Sequence, residues 1–486
     1  MSRRIVLLLA VVLGAAVIAW AVREDDGGRT PTTSTTTLAD STATTRAVVG
    51  TAGAAGVGDP YFPGLGNGGY DVDHYDLELE WLPDDGAIEG AVTITATAGQ
   101  DLSRFNLDLA GLEVRSVTID GSAAQVNQVE RELEVTPAEP VAEGHTFTTV
   151  VTYGGVPRPL ADGTDLFEVG WQTDGREAFV VSEPAGAATF YPVNDHPTDK
   201  ATYTFRIQAP PDQVVVANGL LVGEPELTDE GGGRIWTYEA RDPMASYLVQ
   251  IAIGDYELVE AGTFEGVTIR HAFHRSVADA ARRTTERTIE MIDLLDDVWG
   301  AYPFEAYGVL AVDEALGFAL ETQTLTIIGT DTALSGREAD EILLHELSHQ
   351  WVGDAVSPAT WKDIWLNEGF ATYSQWLWSE RTGGATAARR ARSDVGPGLD
   401  TPPGDPGTRE LFQNTVYLRG GMTLQALREA IGDDAFFTVL RSWIDEHRDS
   451  AASTADFIAL SERVSGRQLD ELFDEWLYAP ERPRLD

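Results

Sequence analysis

Residues 345–373 read HELSHQWVGDAVSPATWKDIWLNEGFATY, and the reading of this stretch decides the fold. His345 and His349 stand four residues apart. On a helix that spacing leaves about 40° between them in projection, so both imidazoles reach one metal ion. Glu346 points into the same space from one residue away, where it can take a proton from water. After eighteen intervening residues, Glu368 brings a third ligand from a second helix. The fourth position stays open, as a catalytic zinc site requires. The expected cofactor is therefore one Zn2+ per chain. The flanking sequence DEILLHELSHQW has helical periodicity, with Ile342, Leu343 and Trp351 available to pack.

Working outward, the pattern changes on the two sides of residue 257. From residue 59 to 257 it is that of strands. Tyr75, Leu77, Leu79 and Trp81 alternate with Asp76, Glu78 and Glu80, the period of a half-buried strand. Val92-Ile94-Ala96, Phe105-Leu107-Leu109 and Tyr203-Phe205-Ile207 repeat it between Gly, Asp, Asn and Pro clusters. This predicts an antiparallel sandwich or saddle of sheets. From 258 to 486 the periods lengthen. A helix is expected over Ala278–Trp299, a strand pair across Tyr307–Val312 and Ala319–Ile328, then the two metal-binding helices. Residues 384–407 read as loop, and four helices follow between about Arg409 and Tyr478.

The termini and composition bear on location. Ser2-Arg3-Arg4 precedes an apolar run from Ile5 to Val22, closed by Arg23-Glu24-Asp25-Asp26. A charged start before an apolar run means export. Residues 1–22 are either a cleaved signal peptide, with Ala19-Trp20-Ala21 as the small-x-small site, or an uncleaved single-pass anchor with the rest of the chain outside. Residues 23–58, including TPTTSTTT, are too poor in apolar surface to fold and read as a flexible linker. The chain has 34 basic and 78 acidic residues, a net charge of −44, which excludes a nucleic-acid partner. Among the basic residues only Lys200 and Lys362 are lysines. The absence of Cys excludes disulfides, cysteine-ligated zinc and thiol catalysis.

The quoted stretch resembles the signature of the aminopeptidase N family of zinc peptidases, whose ligand pattern is H-E-x-x-H-x18-E. Beyond the ligands it matches at Gln350-Trp351, Gly353, Trp361 and Trp365-Leu366-Asn367-Glu368-Gly369-Phe370-Ala371. A second segment, FYPVNDHPTDKATYTF, resembles a family element in the β-domain through Pro192, Asp195, Pro197 and Lys200. The resemblance runs from about Asp59 to Tyr478. It implies an α+β multidomain fold: an N-terminal β saddle, then a thermolysin-like zinc catalytic domain with a C-terminal helical lobe. Further site residues come only from this likeness. Glu321 occupies the acidic position of a G-x-M-E-N box that binds the substrate's α-amino group, although Phe318 replaces Gly and Thr322 replaces Asn. Glu183 falls where a second amine-binding acid stands, with Val181 in place of Gln. Tyr417, in Tyr417-Leu418-Arg419-Gly420, matches a tyrosine that stabilises the oxyanion. Gln375 stands where an acid often supports a ligating His. Many family members continue into a helical domain that roofs the site; ending at Asp486, this chain is expected to have a more open cleft.

The resemblance implies an aminopeptidase acting on peptide substrates, with Glu346 as general base and Glu321 and Glu183 gripping the ammonium. Two alternatives stand beside it: a zinc endopeptidase or other hydrolase on the same core, and an inactive surface-binding protein. The preferred N-terminal residue and the oligomeric state are not legible in the sequence.

Overall fold

Tyr75, Leu77, Leu79 and Trp81 are all buried along the strand Tyr70–Leu82, so the alternation in the sequence becomes one apolar face. The computed structural model describes residues 49–161, 163–164, 167–228, 232–332, 336–393 and 399–485. The export segment 1–22 and the linker up to residue 48 lie outside the described residues. Among the described residues no helix is long and apolar enough to cross a membrane.

Strand Tyr70–Leu82 pairs antiparallel with Ala87–Ala98, placing Leu77 opposite Val92 and Tyr75 opposite Ile94. Its other neighbour, Lys200–Ala209, runs parallel to it, with Leu77 opposite Phe205 and Leu79 opposite Ile207. The β-domain is therefore not purely antiparallel as expected. Alternation sets which face is buried but not the direction of a partner distant in sequence, which no hairpin constrains. These strands belong to a nine-stranded sheet, and the β-domain also holds a four- and a five-stranded sheet. Thr51–Ala52 pairs with the strand Leu102–Asp108, so the folded chain begins earlier than residue 59.

The second half is built on a six-stranded mixed sheet. Val267–His274, Val309–Ala311 and Thr326–Ile328 run parallel in turn, and Ala319–Leu320 pairs antiparallel with the last of them as an edge strand. The expected single helix at Ala278–Trp299 is two, α1 (Ala278–Thr284) and α2 (Thr288–Trp299). At the break the Thr285 hydroxyl donates to the Ala281 carbonyl and that of Thr288 to Thr285, side-chain bonds that compete with helix continuation. Helix α3 (Arg337–Ser348) carries Glu338 and Asp340 in its first turn, favourable at the positive end of the helix dipole. Helix α4 (Trp365–Arg381) packs beside it. Within the expected loop 384–407 the Ala- and Arg-rich stretch Ala387–Ser393 forms helix α5, in keeping with its propensity. Helices α6 (Gly420–Ile431), α7 (Asp433–His447), α8 (Thr454–Ser465) and α9 (Asp470–Phe473) complete the lobe. One apolar core runs continuously from the β-domain into these helices. The result is a β-domain of three sheets followed by a lobe built from a mixed sheet and helices.

Candidate active site

Helix α3 ends at Ser348, so His345 sits in its last turn and His349 at its C-terminal boundary, with Leu343, Leu344 and Leu347 buried behind them. Glu368 projects from the first turn of α4. The two histidine rings lie 4.9 Å apart. His345 Nε2 is 3.1 Å and His349 Nε2 3.6 Å from Glu368 Oε2. Ligands about 2.05 Å from a tetrahedral ion would be separated by about 3.3 Å, so these distances bracket what a zinc ion needs. The far side of the His349 ring is held as well. His349 Nδ1–H donates to the Val352 carbonyl at 3.0 Å, which leaves the Nε2 lone pair for a metal ion held beside Glu368. Gln375 lines the cavity with His345, and its amide donates to the Glu341 carbonyl at 3.0 Å. The donor set fits zinc.

A second group of acids closes around this cluster. Glu321 follows directly on the edge strand Ala319–Leu320, and Gln350 fixes it by donating to its carbonyl at 2.9 Å. Glu183 follows the strand Ala178–Val181 of the β-domain. Glu183, Glu321 and Glu368 present oxygens within 4.8 Å of one another, and so do Glu321 and Glu346 with a His349 nitrogen. One oxygen each of Glu183 and Glu321 is buried without a hydrogen-bond partner. Burial, with Glu321 and Glu368 beside it, pushes Glu183 well above the usual carboxylate range. Burial does the same to Glu346, opposed by His349 and reinforced by Glu321 and Glu368. Glu368, though buried, is held down to about 2 by His349 and His345. Four acids crowded in one cavity call for cations.

Tyr417 joins them from the helical lobe. It lies in a π-helical turn, Thr415–Arg419, leading into α6. A Cβ on Gly369 would come within 2.8 Å of the Gly420 backbone, so only glycine lets α4 and this turn approach so closely. That contact brings the Tyr417 ring over His345, stacked with centroids 5.7 Å apart. Burial and the surrounding carboxylates keep its hydroxyl protonated, well above its ordinary pKa. Just beyond, the Arg419 guanidinium donates to the carbonyls of Trp476, Glu475, Ala479, Leu399 and Asp400.

All seven residues named from the sequence (Glu183, Glu321, His345, Glu346, His349, Glu368 and Tyr417) line one cavity of about 810 Å³. Of the two departures from the amine-binding box, Thr322 turns away, its hydroxyl donating to the Leu325 carbonyl. Phe318 lines the cavity and stacks on Phe167 at 4.7 Å, with Phe412 6.4 Å from Phe167. Sequence reasoning assigned no role to Phe167 or Phe412, which carry no local motif. It also missed the Val352 carbonyl, which no side chain advertises.

With this geometry in place, the comparisons with known proteins define the class. Residues 71–248 match the peptidase M1 N-terminal domain, and residues 283–396 and 402–476 match the peptidase family M1 domain. The chain belongs to the M1 family of zinc metallopeptidases. It is similar in structure to the M1 zinc metallopeptidase of Deinococcus radiodurans, at 33% identity and a TM-score of 0.82 over 88% of this chain and 98% of that one. In sequence it is 26% identical over 453 residues to a probable M1 family aminopeptidase 2 of Encephalitozoon cuniculi (strain GB-M1), covering 83% of this chain and 51% of that protein. Against aminopeptidase N of Streptomyces lividans it is 26% identical, covering 84% of this chain and 50% of that one. The chain thus spans about half the length of these curated relatives.

Proposed function

We propose that this chain is a zinc-dependent aminopeptidase that hydrolyses the first peptide bond of substrates with a free α-amino group. The observation that carries the reading is the pair of unpartnered oxygens on Glu183 and Glu321, in the same cavity as His345, His349 and Glu368. An α-ammonium, with a pKa near 8, is mostly charged at neutral pH and fits between them. Pinned there, a peptide offers only its first carbonyl to the metal cluster.

His345, His349 and Glu368 would hold one zinc ion, which supplies Lewis acidity toward water and the scissile carbonyl. Glu346 is not a ligand; it takes the proton of the attacking water and returns it to the departing amine. Burial raises the proton affinity of its carboxyl, which favours taking up that proton. The Tyr417 hydroxyl, kept protonated, donates to the oxygen on which charge develops. Glu321 and Glu183 bind the ammonium. A variant of the Deinococcus radiodurans relative binds a Tyr-Ser-Ala substrate, which supports a peptide in this cavity. We place the domain boundary near residue 257, at the start of the strand Tyr256–Phe264 that follows the strand Ile251–Gly254. The segment 1–22 puts the activity outside the cytoplasm, anchored if retained and released if removed.

The test is mass spectrometry of a free-amine decapeptide and its N-acetyl form, digested side by side with and without a chelator. A chelator-sensitive ladder of single-residue losses from the free peptide alone is expected. Internal fragments from both peptides would replace this reading with an endopeptidase.

A further inference from the structure

The β-domain segment around Lys200 stands out in the sequence yet touches neither zinc ligand nor substrate acid. In the structure it reaches the back of the metal site. The Lys200 ammonium, at the start of the strand Lys200–Ala209, donates to the Asp354 carbonyl at 2.6 Å and to that of Ala355 at 3.0 Å. Tyr247, also from the β-domain, donates its hydroxyl to the preceding carbonyl, Gly353, at 3.0 Å. Three consecutive carbonyls are thus held by the N-terminal domain. The carbonyl just before them, Val352, accepts His349 Nδ1–H.

The loop between is short and continuous with the zinc helix. Asp354 N–H donates to the His349 carbonyl and Ala355 N–H to that of Gln350, so the loop folds back on the end of α3. Gly353 sits at φ 129°, and a Cβ there would come within 3.1 Å of Asn367 and 3.4 Å of His349 Nδ1. There is little slack in which the Val352 carbonyl could wander independently of its neighbours.

We propose that Lys200 is a positioning residue for zinc: from the β-domain it sets the carbonyl that orients His349, so the N-terminal domain tunes the metal affinity of the catalytic lobe. The proposal rests on the zinc reading of His345, His349 and Glu368. Partners of a metal-bound histidine are worth about 10- to 100-fold in affinity; Lys200 acts further out, through the carbonyls two and three residues beyond Val352, so the lower end, about tenfold, is expected.

The experiment uses the full chain. Zinc affinity is measured by competition with a chelating dye for the parent, Lys200→Met, Lys200→Arg and Val151→Ala. The last removes buried side-chain volume deep in the β-domain sheet and serves as a control for general destabilisation. Lys200→Met should bind zinc about tenfold more weakly, Lys200→Arg should recover most of the loss, and Val151→Ala should keep parental affinity despite a lower Tm. Parental affinity in Lys200→Met, or an equal loss in Val151→Ala, would overturn the proposal. If Lys200→Met does not fold, Tyr247→Phe probes the adjacent carbonyl, where a loss of about threefold is expected and an unchanged affinity refutes the idea. Failure of the underlying zinc reading would look different: the parent itself would not bind one zinc per chain.

Discussion

Replacing Glu321 with Gln isolates the charge that makes the cavity specific for a free amine. The side chain of Gln is close in shape, and the backbone at this position stays fixed by Gln350, so the change is mainly one of charge. A carboxylate and an ammonium about 4 Å apart attract by about 4 kcal/mol at an effective dielectric of 20. Glu183 remains to hold part of that attraction, so the expected loss is about 2–4 kcal/mol, or roughly 30- to 1000-fold in kcat/KM. KM should rise and kcat fall together, because a loosened amine also misplaces the scissile carbonyl. The assay compares an aminoacyl fluorogenic amide with its des-amino analogue, each on the parent and on Glu321→Gln. The parent should strongly prefer the amine, and the variant should lose rate on the amine alone. An equal loss on both substrates would show that Glu321 supports the fold or the metal rather than the ammonium, and the reasoning would fail.

Glu346→Gln should retain one zinc per chain by elemental analysis while losing at least about 10³-fold in kcat, whereas His345→Ala should lose the metal itself; near-normal turnover in Glu346→Gln would contradict a proton-transfer role. Tyr417→Phe should lower kcat by roughly 10²–10³-fold with KM little changed, and a change confined to KM would make Tyr417 a binding residue instead. His271 gives a pH test of stability away from the site. Burial, with Arg270 and Arg282 beside it, brings its pKa down to about 4, and its Nδ1 accepts the Val309 N–H. The unfolded chain, with an ordinary value near 6.5, then binds the extra proton between those limits. Stability should be flat above pH 6.5 and fall as the pH drops toward 4, losing about 2 kcal/mol between pH 7.5 and 5. Chemical denaturation of His271→Gln should show a drop smaller by about that amount; an identical drop would rule this contribution out.

The parts of the fold legible in the sequence were those governed by local periodicity. The i, i+4 spacing of His345 and His349 needs only a helix, and the alternation from Tyr75 to Trp81 only a strand with one buried face. What escaped depends on contacts between distant segments. Nothing near Leu77 or Phe205 announces that their strands run parallel. The Thr285 and Thr288 hydroxyls split a helix whose apolar spacing reads as unbroken. In the site, Glu183 and Glu321 were reached through likeness to a family rather than through spacing, since they follow strands from different sheets. The Val352 carbonyl is beyond any sequence argument, because every residue has one.

The Arg419 clamp alters how the end of the chain should be regarded. Three of the five carbonyls that solvate this buried guanidinium, those of Glu475, Trp476 and Ala479, come from the final helical turn. No carboxylate is within ion-pair distance of it among the described residues. Cutting the chain after Asp474 would leave a cation facing the interior with most of its solvation removed. Bonds of this kind are worth about 1.5–3 kcal/mol each, so their combined loss rivals the whole stability of an ordinary domain. Any shortened or tagged version of the protein should therefore keep residues 475–479 intact, because that turn serves as internal solvent for the segment bearing Tyr417.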